Sequence, residues 1–197
     1  MTITIDLDKD TIDEIELTSL IKYTEWNKNS MYFNLEAGKE HYKLIAYLSK
    51  FTENQIIDIG TYFGFSALAS SLYNKPVTTY DVCDWFPEDE KIITARNNKN
   101  IIFKLMDCCN DMEEIVKSDI VLLDIDPHSG EQELVIMKAL KDVGFQGIIM
   151  LDDIHLNEKM DEFWNGIEEK KIDVTSVGHF SGTGIVFYGD KYEIKLN

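Results

Sequence analysis

Positive charge is scarce in this chain. Nineteen lysines and arginines face 36 aspartates and glutamates, a formal net charge of −17 over 197 residues. Such an acidic surface repels phosphate backbones, so DNA and RNA are not expected partners. Cysteine is scarce as well. Cys83, Cys108 and Cys109 are odd in number and lack the spacing of a zinc site, which excludes a disulfide framework and points to a reducing, cytoplasmic setting. No apolar run is long enough to cross a bilayer, and Met1 to Asp13 is polar and acidic where a signal peptide would be basic and then apolar. No membrane partner is expected. Linker-like, repeated and low-complexity stretches are absent too. The remainder, with 44% hydrophobic residues, is enough for one domain with a sizeable core.

The stretch Gln-Ile-Ile-Asp-Ile-Gly-Thr-Tyr-Phe-Gly-Phe-Ser, from Gln55 to Ser66, organises the rest. An apolar strand breaks at Gly60, and Gly64-Phe65-Ser66-Ala67-Leu68-Ala69 starts a helix. Strand, glycine turn and helix N-terminus together form a nucleotide-type binding site. Glycines there let backbone N–H groups approach a ligand that a Cβ would keep away. The spacing Asp58-x-Gly60-x-x-x-Gly64 is neither the dinucleotide fingerprint nor the phosphate loop, and no lysine follows Gly64 to meet a phosphate. Asp58 repels a pyrophosphate and suits a ligand with a cationic group. An NAD-dependent dehydrogenase is disfavoured on the same spacing.

This stretch resembles motif I of the class I S-adenosylmethionine-dependent methyltransferases. It is most similar to the metal-dependent O-methyltransferases of the catechol type, whose loop reads acid-x-Gly-x-Tyr-x-Gly-Tyr-Ser. Asp58, Gly60, Tyr62, Gly64 and Ser66 fill those places, and Phe65 stands where the family has Tyr. The resemblance covers Leu35 to Tyr188. It implies S-adenosylmethionine bound by Asp58, Gly60, Thr61, Tyr62, Gly64 and Ser66. Asp81, at the end of the second strand, would take the ribose diol, and Asp107 and Cys108 would lie beside the adenine. Trp85 and Phe86 are candidates to stack on that ring.

The rest of the chain alternates strands and helices. Strands are expected at Val77 to Val82, Ile101 to Leu105, Asp119 to Asp124 and Gly147 to Leu151, and helices at Leu35 to Phe51, Gly64 to Tyr73, Glu88 to Asn98, Asp111 to Lys117, Glu131 to Lys141 and Asn157 to Lys171. Val174 to Phe180 and Gly184 to Tyr188, joined by Ser181-Gly182-Thr183, read as a closing hairpin. The pattern predicts an α/β fold: a doubly wound, Rossmann-like sheet of seven strands with an antiparallel C-terminal hairpin and helices on both faces. Residues 1–34, with a helix-like pattern from Thr11 to Tyr23, are expected to form an extension that packs on or caps the site, and residues 35–197 the methyltransferase domain. Gly38 marks a close backbone approach bordering the ligand site.

Strands four and five both end in acids, Asp124 and Asp126 on one and Asp152 and Asp153 on the other. Carboxylates converging on one sheet edge repel each other unless a cation or protons compensate. Oxygen-rich sites suit Mg²⁺, Ca²⁺ or Mn²⁺ and not Zn²⁺, and the resemblance implies Mg²⁺ or Mn²⁺ on Asp124, Asp152 and Asp153. Asp153 departs from the catechol-type Asn and, with the Asp-x-Asp at 124 and 126, looks more like the sugar O-methyltransferases of macrolide biosynthesis. The catechol-type lysine that serves as general base is missing. His128, His155 and Asp126 are the candidates to replace it, since an imidazole titrates near neutral pH; His179 is read as surface or structural. The expected activity is methyl transfer to a hydroxyl of a small molecule or glycan, a sugar before a catechol or phenol, with a non-catalytic S-adenosylmethionine-binding protein as the alternative. A homodimer is compatible with all of this.

Overall fold

Apolar segments without alternation build the centre of the molecule. The structure, a computed structural model, describes residues 2–197. In chain order its strands are β1 (Ile3–Leu7), β2 (Ile56–Ile59), β3 (Val77–Asp81), β4 (Ile101–Leu105), β5 (Ile120–Leu123), β6 (Gly147–Asp152), β7 (Lys171–Asp173), β8 (Thr183–Tyr188) and β9 (Tyr192–Leu196). The helices are α1 (Lys9–Asp13), α2 (Tyr42–Ser49), α3 (Phe65–Ser70), α4 (Met112–Ile115), α5 (Glu131–Asp142) and α6 (Glu158–Gly166). Seven strands make one sheet in the order β4-β3-β2-β5-β6-β8-β7, and β1 pairs separately with β9. β2 to β6 run parallel, while β8 is antiparallel to both β6 and β7.

Alternating side chains explain why the central strands are buried along their whole length. On β5, Ile120 and Leu122 face a core shared with Leu44 and Leu48 of α2 and Leu68 of α3. Val121 and Leu123 face the opposite core, with Ile115 of α4, Leu140 of α5 and Trp164 of α6. A strand covered on both faces needs apolar residues at every position, not every second one. Because β2 lies between β3 and β5, the strand order reverses there, and the crevice at its C-terminal end is where open α/β sheets bind ligands.

The doubly wound sheet and its antiparallel end match the sequence expectation, with local corrections. The helix expected from Leu35 begins only at Tyr42. Gly38 has φ +83°, and a Cβ on it would meet the Ser176 carbonyl oxygen at 2.7 Å, so the close approach is to the segment after β7. The helix expected over Glu88 to Asn98 is reduced to a 3-10 turn at Ala95–Asn97. That segment has no apolar stripe to bury, and Ile93 is exposed. The strand expected at Val174 to Phe180 is displaced to β7: the Asp173 carboxylate accepts from the Thr175 N–H at 2.9 Å, an Asx turn that ends the strand early. β7 takes the tail of the expected final helix, which stops at Gly166, where Lys171 Nζ donates to the Ile167 carbonyl at 2.8 Å. The helix expected at Thr11 to Tyr23 is α1 plus a 3-10 turn at Thr18–Tyr23. The β1–β9 pair has no counterpart in the expectation. Ile5, Leu7, Ile12 and Leu20 are buried in the same core as α2 and α3.

Candidate functional site

Gly60 ends β2 with φ +101°, and a Cβ on it would lie 1.6 Å from the Asp124 carbonyl oxygen. Only glycine lets the turn after β2 pass so close to the end of β5. Gly64, with φ +75°, precedes α3, and a Cβ there would meet Ala95 at 2.7 Å. Between the glycines, Tyr62 is held at φ +43° with its ring half exposed. Its N–H donates to Asp81 Oδ2 at 3.0 Å, and the Cys83 N–H donates to Asp81 Oδ1 at 2.8 Å. Asp81 is thus fixed at the end of β3 with lone pairs left over for a ligand.

Asp58 is buried and accepts from Thr79 Oγ1 at 2.6 Å. Burial pushes its carboxyl up to about 6, against the pull of Thr79 and Ser66. Thr61 is buried as well, its hydroxyl paired with that of Thr79. Gly60, Thr61, Tyr62, Ser66 and Asp124 all line one cleft of about 180 Å³, whose other walls include Asn29, Tyr32, Glu40, His41 and Tyr42. The enclosed part is smaller than the roughly 300–1,000 Å³ of ordinary ligand pockets, so a cofactor there also occupies the open mouth. Asp107 caps the turn after β4, accepting from the Cys109 N–H at 2.8 Å, and stays exposed. Cys108 is buried, and its thiol is pushed up to about 12 by burial, which keeps it protonated. Phe86 is engaged by Trp26 at 6.1 Å, Phe103 at 5.2 Å and the Arg96 guanidinium at 4.6 Å. Trp85 remains half exposed beside Tyr62 at 5.4 Å.

The acids of β5 and β6 do not gather into the three-carboxylate set expected for Mg²⁺. Asp152 lies between two histidines, with His41 Nδ1 3.1 Å from its Oδ1 and His179 Nδ1 3.4 Å from its Oδ2. Asp124 and Asp153 group instead with His128. Where a metal was expected to relieve the repulsion, two imidazoles face Asp152. Burial works against the charge on Asp152, yet His41 and His179 outweigh it and hold its carboxyl below the usual range. The two histidines are raised to about 9 and about 10, against their own burial, by Asp152 and its neighbours. Asp124 moves the other way: burial, reinforced by Asp152, holds its carboxyl well above the usual range. Because the three acids are divided between two histidine-containing groups, an all-oxygen Mg²⁺ cage on Asp124, Asp152 and Asp153 does not fit the donors as built.

The base candidates separate clearly. His155 has Nδ1 2.7 Å from Asp161 and Nε2 2.8 Å from Asp173. With both nitrogens given to carboxylates it ties α6 to β7 and has no free lone pair, which corrects the expectation of a base role. His128 lies mostly buried at the cluster, with Nε2 3.3 Å from Asp126 Oδ1 and 3.5 Å from Asp153 Oδ2. The Asp126 side chain is 91% exposed. His128 and Asp153 have φ of +50° and +57°, so with Tyr62 this sheet edge carries three of the four non-glycine residues at positive φ among those described. Strain of this kind costs about 1–3 kcal/mol per residue and concentrates at functional sites. Sequence reasoning missed His41, His179 and Glu40. Only the pair Glu40-His41 after Gly38 hinted at them; for His179, set between two turns, nothing in the sequence did.

No family model matches this chain, and no curated protein does. Solved structures do match. A putative caffeoyl-CoA O-methyltransferase from Staphylococcus aureus superposes with a TM-score of 0.58 at 14% identity, covering 91% of this chain and 95% of the other. The S-adenosylhomocysteine-bound methyltransferase PaMTH1 from Podospora anserina gives 0.57 at 14%, covering 96% and 100%. The fold is that of a class I methyltransferase. A third likeness, to the O-methyltransferase TomG from Streptomyces achromogenes in complex with S-adenosylmethionine, gives 0.52 at 14% identity and covers 89% of this chain and 91% of TomG. In this fold the Gly60–Gly64 turn occupies the switch point of the sheet, as described above. No helix among the described residues is long and apolar enough to cross a membrane.

Proposed function

We propose that the protein is an S-adenosylmethionine-dependent O-methyltransferase whose acceptor is a hydroxyl of a sugar or glycan. The observation that carries this reading is the strained glycine turn of β2, with Asp81 locked across from it by the Tyr62 and Cys83 N–H groups, in a methyltransferase fold. Bound S-adenosylmethionine supplies an electrophilic methyl on a sulfonium. Asp81 would accept from two vicinal hydroxyls of a ribose, and Asp58 and Glu40 would give the cleft the negative field that a sulfonium and an ammonium group prefer. The proton that the acceptor hydroxyl loses on methylation would pass to the His128 ring. Asp126 and Asp153, 3.3 and 3.5 Å from its Nε2, would orient the ring and stabilise the imidazolium that results. Orientation of the hydroxyl within reach of the methyl supplies most of the rate.

A sugar is favoured over a phenol because the exposed carboxylate of Asp126 and the polar edge around Asp153, Ser181 and His128 offer hydrogen-bond acceptors for several hydroxyls. The deciding experiment is transfer of a labelled methyl from S-adenosylmethionine to a panel of free sugars, glycans, catechols and phenols. Methylation of a sugar hydroxyl is expected. Turnover of phenols alone refutes the acceptor class, and cofactor binding without transfer to any acceptor class refutes the enzyme.

A further inference from the structure

Asp152 brings two imidazoles together where the expected Mg²⁺ site would need oxygens. His41 stands just before α2, Asp152 ends β6, and His179 lies in the segment leading to β8. Their side chains are 6%, 7% and 16% exposed. One donor atom from each lies within 4.8 Å of the other two. Ligand atoms 2.0–2.1 Å from a tetrahedral ion stand about 3.3 Å apart. His41 Nδ1 stands 3.1 Å from Asp152 Oδ1 and His179 Nδ1 stands 3.4 Å from Asp152 Oδ2, close to that spacing for a carboxylate that holds an ion through either oxygen or both.

A second observation singles out this cluster. His41 Nδ1 is buried yet makes no hydrogen bond. Its 3.1 Å approach to Asp152 is an ion pair by distance, but poorly aligned for N–H donation. A buried polar nitrogen left this way is costly and asks for a partner. One further group stands behind a ligand: Glu40 Oε1 is 3.7 Å from His179 Nε2. A carboxylate behind an imidazole fixes its orientation at metal centres. The Ser181 hydroxyl, 2.8 Å from His179 Nδ1 and also donating to Asp153, gives up that nitrogen when the ion binds.

We infer that His41, Asp152 and His179 form a binding site for one transition-metal dication of the imidazole-preferring class, such as Zn²⁺, Fe²⁺ or Co²⁺, in place of Mg²⁺. Two nitrogens and one carboxylate suit those ions and leave coordination positions open. Mg²⁺ dehydrates reluctantly and takes oxygen, so this donor set selects against it. The inference does not depend on methyl transfer.

The test reads metal alone. The full chain is stripped with chelator and titrated with Co²⁺, following its visible ligand-field spectrum, with Mg²⁺ and Zn²⁺ as competitors. One Co²⁺ per chain is expected, displaced by Zn²⁺ and unaffected by a large excess of Mg²⁺. His41→Ala and His179→Ala are each expected to weaken Co²⁺ binding by about tenfold or more, whereas His155→Gln leaves it unchanged. Displacement of Co²⁺ by Mg²⁺ overturns the inference, as does Co²⁺ affinity that survives both ligand substitutions. Loss on His128→Ala alone also overturns it, by moving the ion to Asp124 and Asp153. Should the alanine variants fail to fold, X-ray absorption of the Zn²⁺-loaded wild type decides: two imidazoles in its coordination shell support the site, and one or none refutes it.

Discussion

Replacing Gly60 by alanine tests the central claim about the glycine turn, and the chain supplies its own controls. At Gly60 two penalties act together: φ of +101°, and a Cβ 1.6 Å from the Asp124 carbonyl oxygen. The first costs about 1–2 kcal/mol for an L-residue. The second demands that Asp124 or the turn retreat by about 1.4 Å, since real Cβ contacts essentially never fall under 3.0 Å and 3.0 − 1.6 = 1.4. Forcing a packed region to yield in this way costs about 1–3 kcal/mol. Gly60→Ala is therefore expected to destabilise the fold by about 2–5 kcal/mol. For a chain of this size each kcal/mol lowers the melting temperature by about 2–4 °C, which predicts a fall of roughly 4–20 °C. Gly144 has φ +77° with nothing within 4 Å, so Gly144→Ala isolates the backbone term; about 1–2 kcal/mol is expected. Gly166, at the end of α6, has neither penalty, and alanine there is expected to stabilise by about 0.5–1 kcal/mol. Urea unfolding of the three variants, with m-values checked for constancy, ranks them. A Gly60→Ala variant no less stable than Gly144→Ala would refute the claim that the turn is pressed against the end of β5.

Asp81→Ala is expected to weaken S-adenosylmethionine binding in calorimetry by about 1–3 kcal/mol, the scale of hydrogen bonds to a charged group; unchanged affinity removes Asp81 from the ribose. His128→Gln is expected to lower turnover on the true acceptor by about 10²–10⁴-fold with cofactor affinity retained, and near-normal turnover passes the base role to Asp126. His155→Gln is expected to leave turnover nearly unaltered and to lower stability in a pH-dependent way. Asp173 and then Asp161 raise the folded pKa of His155 above its ordinary 6.5, outweighing partial burial. A raised histidine stabilises fully below its unfolded pKa and loses that contribution as pH rises through the folded value. The melting-temperature gap between wild type and His155→Gln should thus be largest below about pH 6.5 and close as the solution becomes alkaline; a gap that widens with pH contradicts the ion-pair assignment.

The central strands were legible because burial on both faces writes itself as an unbroken apolar run. Ile120–Leu123 and Gly147–Leu151 could be read without any knowledge of their partners. Some of the segments that failed have their fate set by contacts far away in the chain. Gly38 answers to Ser176, and β1 exists only because β9 runs beside it, Ile3 pairing with Tyr192 and Leu7 with Leu196. The polar stretch from Glu88 to Thr94 has good helix formers but no buried face, so propensity had nothing to add to. Local hydrogen bonding overrode β propensity after Asp173, where one Asx turn ended β7.

The same distinction explains the site. Acids that end parallel strands can be placed from sequence, because every such C-terminus lies on one edge of the sheet. What neutralises them cannot be placed, since the compensating groups come from segments with no strand to register them. His41 arrives just ahead of α2, 111 positions before Asp152, and His179 arrives from a turn 27 positions after it. Convergence of Asp124, Asp152 and Asp153 implied positive charge at that edge, and the structure supplies it as two imidazoles on Asp152, with His128 beside Asp124 and Asp153. The sequence reading allowed a cation or protons there and, from the resemblance, expected Mg²⁺ or Mn²⁺. An edge rich in carboxylates constrains only the sum of the charges around it, and histidines from non-adjacent segments satisfy that sum while changing the donor atoms. That change makes metal identity the property of this site most worth measuring, because two nitrogens in place of two oxygens reverse its preference between Mg²⁺ and the transition metals.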